Sequence, residues 1–282
     1  MAKLLQILFV VLLLSVQIYA QNISNEKIIK NFSEASSISI NPAGMIFVSD
    51  IAANEIIKLD TLGNLLKSIG GYGWDEYSFD EPADIFATTL NVYVSDKNNN
   101  RIQIYDKDLN FLTDFNTTDY EDENYSFAYP VCSAVSNQGD IYILDSDNQR
   151  ILKYDLRGEL LQEIGNYEAG DFMLTDPKCF AISPDNRLFV ADGTLLVIFD
   201  QFGMGLNKIN LGFEPNNINI TFNKLAVTGE SRILLLDFND SSYLLDELVS
   251  EEELGTGFID ALFFKNKLYI LEKTKIRIFT IL

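Results

Sequence analysis

One strand-forming phrase recurs along this chain, and it constrains the fold more than any other feature of the sequence. Its clearest copy spans residues 140–164, DIYILDSDNQRILKYDLRGELLQEI, in which two alternating runs flank a polar turn and a third follows. Short alternating runs bounded by Gly, Asn and Asp are typical of β-strands rather than helices. Six copies occur, and the first strand of the phrase ends in turn at Asp50, Asp96, Asp145, Asp192, Gly229 and Glu272.

The spacing of these copies, 37 to 49 residues, predicts the architecture. A repeat of about 40–50 residues that carries four short strands is the signature of a β-propeller blade. The last copy supplies only three strands before Leu282, and residues 26–32 at the other end match the missing outer strand. We therefore predict an all-β, six-bladed β-propeller of four-stranded blades over residues 21–282. The N-terminal strand would complete the last blade and remove an exposed sheet edge.

The repeat resembles the NHL type. The pattern P-x-x-I-A, G-x-I-Y-V-x-D, N-x-R-I-x-x-Y-D and G-x-L-L-x-x-I-G is clearest in residues 82–115 and 130–165. Weaker copies span residues 35–70 and 177–212, and the last two copies lack the strand-end aspartate. The resemblance implies a propeller over nearly the whole chain. It leaves the function open, because such repeats occur in enzymes and in binding platforms alike.

Charge and composition exclude several classes of partner. The 282 residues include 41 acidic and 21 basic side chains, for a formal net charge of −20. A field of that sign repels phosphates and anionic lipid surfaces, so we expect no nucleic-acid partner. Apolar residues make up 47% of the chain, which is enough for a sizeable core.

Residues 1–20 have the layout of a secretory signal peptide. Lys3 precedes an apolar run over residues 4–16, and a cleavage site could follow Ala20. The 13-residue run is shorter than the roughly 20 residues needed to cross a bilayer. We therefore expect an exported protein, periplasmic or extracellular, with no membrane insertion after signal cleavage.

The chain contains no histidine, which removes several catalytic arrangements. A Ser-His-Asp triad, a Cys-His pair and a histidine-based zinc site all need one. The only two cysteines, Cys132 and Cys179, occupy equivalent positions in adjacent repeats. A disulfide between them and a pair of buried thiols both remain open.

The strand-end aspartates raise the question of calcium, above all in the DSDN sequence that begins at Asp145. A helix–loop–helix calcium site needs glycine at its sixth position and glutamate at its twelfth. Those positions hold Arg150 and Leu156. We therefore expect each aspartate to cap its own turn by accepting backbone N–H groups.

A second set of polar residues occupies one position of the innermost strands, two places after the proline or its equivalent. The set is Ser37, Asp84, Cys132, Cys179, Asn217 and Asp260. In a propeller these residues should form a ring near one mouth of the central channel. They could line a wet channel only, or their oxygens could hold Ca²⁺ or another divalent cation.

The cation hypothesis also rests on a resemblance to gluconolactonase-type six-bladed propellers, which hold a metal with Glu, Asn and Asp on inner strands. It implies Asp84, Asn217 and Asp260 as ligands. The N-terminal Glu-Gly-Pro motif of that family has no clear counterpart, and Glu34 is the nearest candidate.

Three loops between an outer strand and the next inner strand are both acidic and aromatic. They span residues 71–81, 116–129 and 166–176. Because they should emerge on one face, we predict a contact platform made by Trp74, Tyr77, Tyr120, Tyr125 and Tyr167. Phe79, Phe127 and Phe172 should instead fill the interfaces between blades.

These observations favour a non-catalytic exported binding or scaffold module, with no catalytic residue and no certain cofactor. Its partner would be a protein, a peptide or a glycan at the acidic aromatic face. The alternative is a metal-dependent hydrolase or lactonase of the calcium type, in which a channel carboxylate activates water.

Overall fold

A computed structural model of the chain describes residues 23–30, 32–118, 126–239 and 245–281. Within these ranges, 24 strands form six antiparallel sheets of four strands each. The all-β, six-bladed propeller is therefore confirmed. The predicted signal peptide lies outside the described residues, and so do Tyr120 and Tyr125.

The first three blades each run in chain order from an inner to an outer strand. Blade 1 consists of β2 (Ala35–Ile40), β3 (Ile46–Asp50), β4 (Glu55–Leu59) and β5 (Leu65–Gly70). Blade 2 consists of β6 (Pro82–Ala87), β7 (Asn91–Asp96), β8 (Arg101–Asp106) and β9 (Phe111–Asn116). Blade 3 consists of β10 (Pro130–Val135), β11 (Ile141–Asp145), β12 (Arg150–Tyr154) and β13 (Leu160–Ile164).

Blades 4 and 5 follow the same order, and blade 6 borrows its outer strand from the N-terminal end. Blade 4 consists of β14 (Pro177–Ile182), β15 (Leu188–Asp192), β16 (Leu195–Phe199) and β17 (Gly205–Asn210). Blade 5 consists of β18 (Pro215–Thr221), β19 (Lys224–Gly229), β20 (Ile233–Asp237) and β21 (Asp246–Val249). Blade 6 consists of β22 (Phe258–Phe264), β23 (Lys267–Glu272), β24 (Lys275–Ile281) and β1 (Ile23–Lys30).

Helix is sparse in this fold. The described residues contain 3₁₀ segments at Lys97–Asn99 and Tyr167–Phe172 and a one-turn α-helix at Glu251–Leu254. Within the same part of the chain, no helix has the length and apolar character that a membrane crossing requires.

Strand β1 closes the ring, as predicted. It pairs antiparallel with β24, with Ile29 opposite Ile276. Ile29 is buried against Ile57 and Leu59 of blade 1, whereas the preceding Ile28 faces solvent. The strand thus covers the edge of blade 6 and packs against blade 1, which ties the two ends of the ring together.

Aromatic side chains from the loops fill the spaces between blades. Phe79 is fully buried between Ile69 of blade 1 and Tyr105 of blade 2. Phe127 packs between blades 2 and 3. Phe172 lies against Phe199 of blade 4, with ring centroids 6.2 Å apart. The interface role predicted for these phenylalanines is confirmed.

The strand-end aspartates have a different role from the one we predicted. Asp192 accepts hydrogen bonds from the backbone N–H groups of Thr175 and Asp176, at 2.9 and 2.6 Å, in the loop that enters the same blade. Asp96 likewise accepts from Asp80 N. The reason is the register, which places Pro82 of the inner strand opposite Asp96. These aspartates therefore hold the incoming loop. The predicted cap on the aspartate's own turn is seen at Asp50, which also accepts a hydrogen bond from Ala53 N.

Candidate functional site

The loop over residues 71–81 runs from outer strand β5 to inner strand β6 and is held by side chains of β8. The Arg101 guanidinium donates to the carbonyl oxygens of Trp74 at 2.8 Å, Asp75 at 3.1 Å and Ser78 at 3.0 Å. The Gln103 side chain donates to the same Ser78 oxygen at 2.8 Å. Successive carbonyls of the loop are thus fixed by donors on one strand.

These donors are themselves buried and anchored. Arg101 Nε lies 2.8 Å from Asp96 Oδ2, and the Asp96 carboxylate is fully buried. The hydroxyl of Tyr105 donates to Glu76 O at 2.7 Å. Burial raises the pKa of the Tyr105 hydroxyl, so it stays protonated as a donor at neutral pH. The loop backbone is therefore attached to the blade core rather than lying loosely on its surface.

The side chains around Trp74 point the other way, into solvent. Trp74 is 68% exposed and Tyr72 is 73% exposed, and the carboxylates of Asp75 and Glu76 are exposed beside them. Tyr72 was not among the predicted contact residues. Tyr72 belongs to the same acidic, aromatic loop, two residues before Trp74, so the composition of that loop could have indicated it.

Tyr77 is only partly available for contact. Its hydroxyl accepts a hydrogen bond from Phe111 N at 3.2 Å, and its ring packs against Tyr105 and Phe111. Trp74 and Tyr77 therefore lie in one loop, but Tyr77 also helps to hold that loop on blade 2.

Tyr167 lies at another junction, between blades 3 and 4. It begins the 3₁₀ segment, is 80% exposed, and borders a cleft of about 520 Å³ that Arg150 and Glu163 also line. The nearby charge of Glu168 raises the pKa of the Tyr167 hydroxyl. This junction is separate from that of Trp74 and Tyr77, which lie between blades 1 and 2. The loop 71–81 is thus the part of the predicted platform that the structure assembles.

The predicted ring in the central channel does come together. Ser37 Oγ donates to Asp84 Oδ1 at 2.7 Å and lies 3.5 Å from Asp260 Oδ2, so this hydroxyl of blade 1 connects the carboxyls of blades 2 and 6. Cys132 and Cys179 continue the ring, with their sulfur atoms 2.7 Å apart. All of these side chains are buried.

The carboxyl groups of the ring are occupied by protein donors. Asp84 Oδ2 accepts from Ser133 N at 3.1 Å. Asp260 accepts from Ile38 N at 3.0 Å and from Asn219 Nδ2 at 2.9 Å. Burial raises the pKa of Asp84, and burial raises the pKa of Asp260 to about 7. The two carboxyls thus hold a larger share of protons near neutral pH than exposed aspartates do.

The oxygens that a calcium ion would need in this ring already accept hydrogen bonds from the protein. Asn217 Oδ1 accepts from the adjacent Ile218 N at 2.8 Å, so its oxygen is also engaged. The part of the chain that the structure describes contains no group of three or more His, Cys, Asp or Glu side chains placed to hold a metal ion. Glu34 pairs with Lys273 at 2.6 Å on the surface. The ligand set Asp84, Asn217 and Asp260 stays a prediction, and the donors around it favour a hydrogen-bonded channel wall.

Comparison with known proteins supports the repeat type. Residues 127–154 match the family model for the NHL repeat. The protein brain tumor of Drosophila melanogaster is 29% identical over 143 residues, which is 49% of this chain. The aligned part is 13% of the length of that relative, so the comparison concerns one region of a much longer protein.

Solved structures share the overall architecture at low sequence identity. A gluconolactonase from Xanthomonas campestris superposes with a TM-score of 0.66 at 13% identity, covering 93% of this chain and 92% of that one. A virginiamycin B lyase from Staphylococcus aureus, solved with quinupristin, superposes with a TM-score of 0.60 at 12% identity and covers 92% and 100%. That lyase is a variant with one histidine replaced by alanine, described as catalytically inactive. At such identities the likeness shows the fold alone, and the chain is therefore a six-bladed β-propeller in which residues 127–154 match an NHL repeat.

Proposed function

We propose that this protein is a non-catalytic binding module that recognises its partner through the loop 71–81. The proposal rests on Trp74, whose side chain is exposed while its backbone is held in place. The Trp74 side chain is 68% exposed, while its carbonyl oxygen is held 2.8 Å from the Arg101 guanidinium. A large aromatic side chain on a fixed backbone offers contact area without the entropic cost of ordering a loop.

The chemistry of the loop favours a positively charged partner. Exposed carboxylates of Asp75 and Glu76 flank Trp74, and the whole chain carries a net charge of −20. Lysine or arginine side chains can pair with the carboxylates and stack on the indole ring. We therefore place a basic protein segment or peptide first, and a glycan that stacks on Tyr72 and Trp74 second.

The hydrolase alternative has less support from the geometry. The carboxyls of Asp84 and Asp260 already accept hydrogen bonds from Ser133 N and Ile38 N. The gluconolactonase likeness, at 13% identity, concerns the fold alone. The inactive lyase variant lacks a histidine, and this chain has none at all.

We also propose that the protein lies outside the cytoplasm, because residues 1–20 have the layout of a signal peptide.

Peptide and glycan arrays test the proposal. We would probe them with the wild-type protein, with Trp74→Ala and with Phe222→Ala. Phe222 is the matched control, because it is an exposed aromatic residue at the opposite mouth of the channel. A contact residue at the centre of an interface is worth roughly 2 kcal/mol or more, about 30-fold in affinity.

We expect Trp74→Ala to lose the basic-peptide signal and Phe222→Ala to keep it. If both variants bind every ligand as the wild type does, the loop is not the recognition site. If lactones or esters are hydrolysed and the activity depends on Asp84 and Asp260, the hydrolase replaces the binding module.

A further inference from the structure

The two cysteines form a close thiol pair inside the channel wall. Cys132 on β10 and Cys179 on β14 occupy the same position in adjacent blades, and their sulfur atoms lie 2.7 Å apart. Both are free thiols and both are buried. The backbone of Phe180 fixes one of them, since Phe180 N donates to Cys132 Sγ at 3.3 Å and the Cys132 thiol lies 3.3 Å from Phe180 O.

A small polar cavity of about 30 Å³ lies beside this pair. Asp84, Asn217 and Asn219 line it together with both cysteines. About 10–15 Å³ of such space holds one water, so the cavity of about 30 Å³ admits two or three water-sized molecules and nothing bulkier. Phe86, Ile182, Asn219 and Ile220 also line a cavity of about 420 Å³ at the channel mouth, so the two cavities are neighbours that share part of their walls.

We propose that Cys132 and Cys179 are an oxidisable dithiol that hydrogen peroxide converts into a disulfide between the inner strands of blades 3 and 4. The juxtaposed sulfurs supply the bond, and the adjoining cavity selects an oxidant of the size of peroxide. This inference does not depend on the loop 71–81.

Peroxide would oxidise the two thiols in two steps. The thiolate of one cysteine attacks a peroxide oxygen, the O–O bond breaks, and the departing hydroxide takes up a proton to leave as water. The second thiol then attacks the resulting sulfenic acid, whose hydroxyl leaves as a second water once protonated. Two thiols and one peroxide give one disulfide and two waters, with the sulfurs oxidised and the peroxide oxygens reduced.

The hydrogen bond between the thiols favours Cys179 as the first nucleophile. Burial raises the pKa of Cys132 well above its usual value, and its donated hydrogen bond adds to the rise. The hydrogen bond from Cys132 lowers the pKa of Cys179, while burial and the charges of Asp84 and Asp260 raise it, with a net rise. Since the thiolate is the reactive form, oxidation should be slow near pH 7 and faster as the pH rises.

Mass spectrometry of the folded protein tests the proposal. The wild type is treated with hydrogen peroxide, unfolded, alkylated and weighed intact. We expect the chain to lose two hydrogen atoms, to take up no alkyl group, and to yield a peptide pair linked through Cys132 and Cys179. Cys132→Ser and Cys179→Ser should form no such link, and Cys132→Ser should stop at a sulfenic acid on Cys179, which a cyclic diketone traps once the protein is unfolded. A bulky aromatic disulfide reagent should leave the folded wild type unmodified.

A second measurement needs no variant. The cross-link closes a loop between residues 47 positions apart, so thermal unfolding should shift to a higher temperature after peroxide and return after reduction. Two alkylatable thiols that persist after the methionines have been oxidised would overturn the proposal. So would a disulfide that joins two chains, or a cross-linked protein that unfolds at a lower temperature than the reduced one.

Discussion

Asp96 and Arg101 stand opposite each other in the register of β7 and β8, and their buried side chains form an ion pair of 2.8 Å. The same relationship recurs in blade 3 between Asp145 and Arg150, at 3.0 Å. In both blades the arginine also donates to carbonyl oxygens of the loop that enters the blade, as Arg150 does to Ser126 O at 3.0 Å. The arginine of the repeat thus joins the blade to its incoming loop.

Replacing Arg101 by alanine should destabilise the fold markedly. The change leaves the Asp96 carboxylate buried without its cation, which costs about 3–5 kcal/mol for pairs of this kind. Arg232→Ala is the control, since the Arg232–Glu247 pair at 2.7 Å is largely exposed and contributes below about 1 kcal/mol. Urea unfolding measures both variants. Equal losses in the two would show that the buried pair does not hold the blade.

The mobility of Trp74 should depend on Arg101. Trp74 is the only tryptophan, so its fluorescence reports on the loop alone. We expect Arg101→Lys to lower the fluorescence anisotropy of Trp74, because an ammonium group cannot reach three carbonyls as the guanidinium does. The wild type and Arg232→Lys should keep the higher value. An unchanged anisotropy in Arg101→Lys would mean that other contacts fix the loop.

Stability should fall as the pH rises from 5 to 7. Burial raises the pKa of Asp260 from 3.8 to about 7, so in that window the folded state binds more protons than the unfolded state. The contribution is complete below the unfolded pKa and is lost as the pH rises through 7, and the part lost between pH 5 and 7 is about 2 kcal/mol for one group. The chain has no histidine to mask the effect. Asp260→Asn should flatten the slope in urea unfolding, and an equally steep slope in that variant would assign it to another group.

The closing strand gives a prediction with a built-in control. Ile29→Ala should lower the free energy of unfolding by about 2–5 kcal/mol, because Ile29 is buried against blade 1. Ile28→Ala, on the solvent side of the same strand, should change it by no more than about 0.5 kcal/mol. Denaturant titration of both variants decides the matter. Similar values for the two would mean that β1 does not seal the ring in solution.

The repeat made the fold predictable, because period and alternation are properties of the sequence alone. They yielded the six blades, the closing strand, and the ring of equivalent positions in which the structure shows Ser37 bonded to Asp84. The hydrogen bonds of the ring were not predictable in the same way. The donors to Asp84 and Asp260 are the backbone N–H groups of Ser133 and Ile38, which carry no residue-specific signal.

The loop site was predictable in composition but not in geometry. An acidic, aromatic segment indicated Trp74 and Tyr77, but the sequence did not show that Tyr77 would pack on Phe111. The prediction that each strand-end aspartate caps its own turn was wrong for Asp96 and Asp192 for a related reason. It depends on which residue the register places opposite, and Asp96 lies opposite Pro82, next to the loop.

The most direct test of the binding loop is a titration of Trp74 emission with a lysine- and arginine-rich peptide, with an acidic peptide of equal length as control. We predict a saturable change in emission with the basic peptide alone, weakened by salt and weakened again when Asp75→Asn and Glu76→Gln remove the carboxylates beside Trp74. An unchanged Trp74 emission, while calorimetry shows the same peptide bound, would place recognition elsewhere on the propeller and contradict the account.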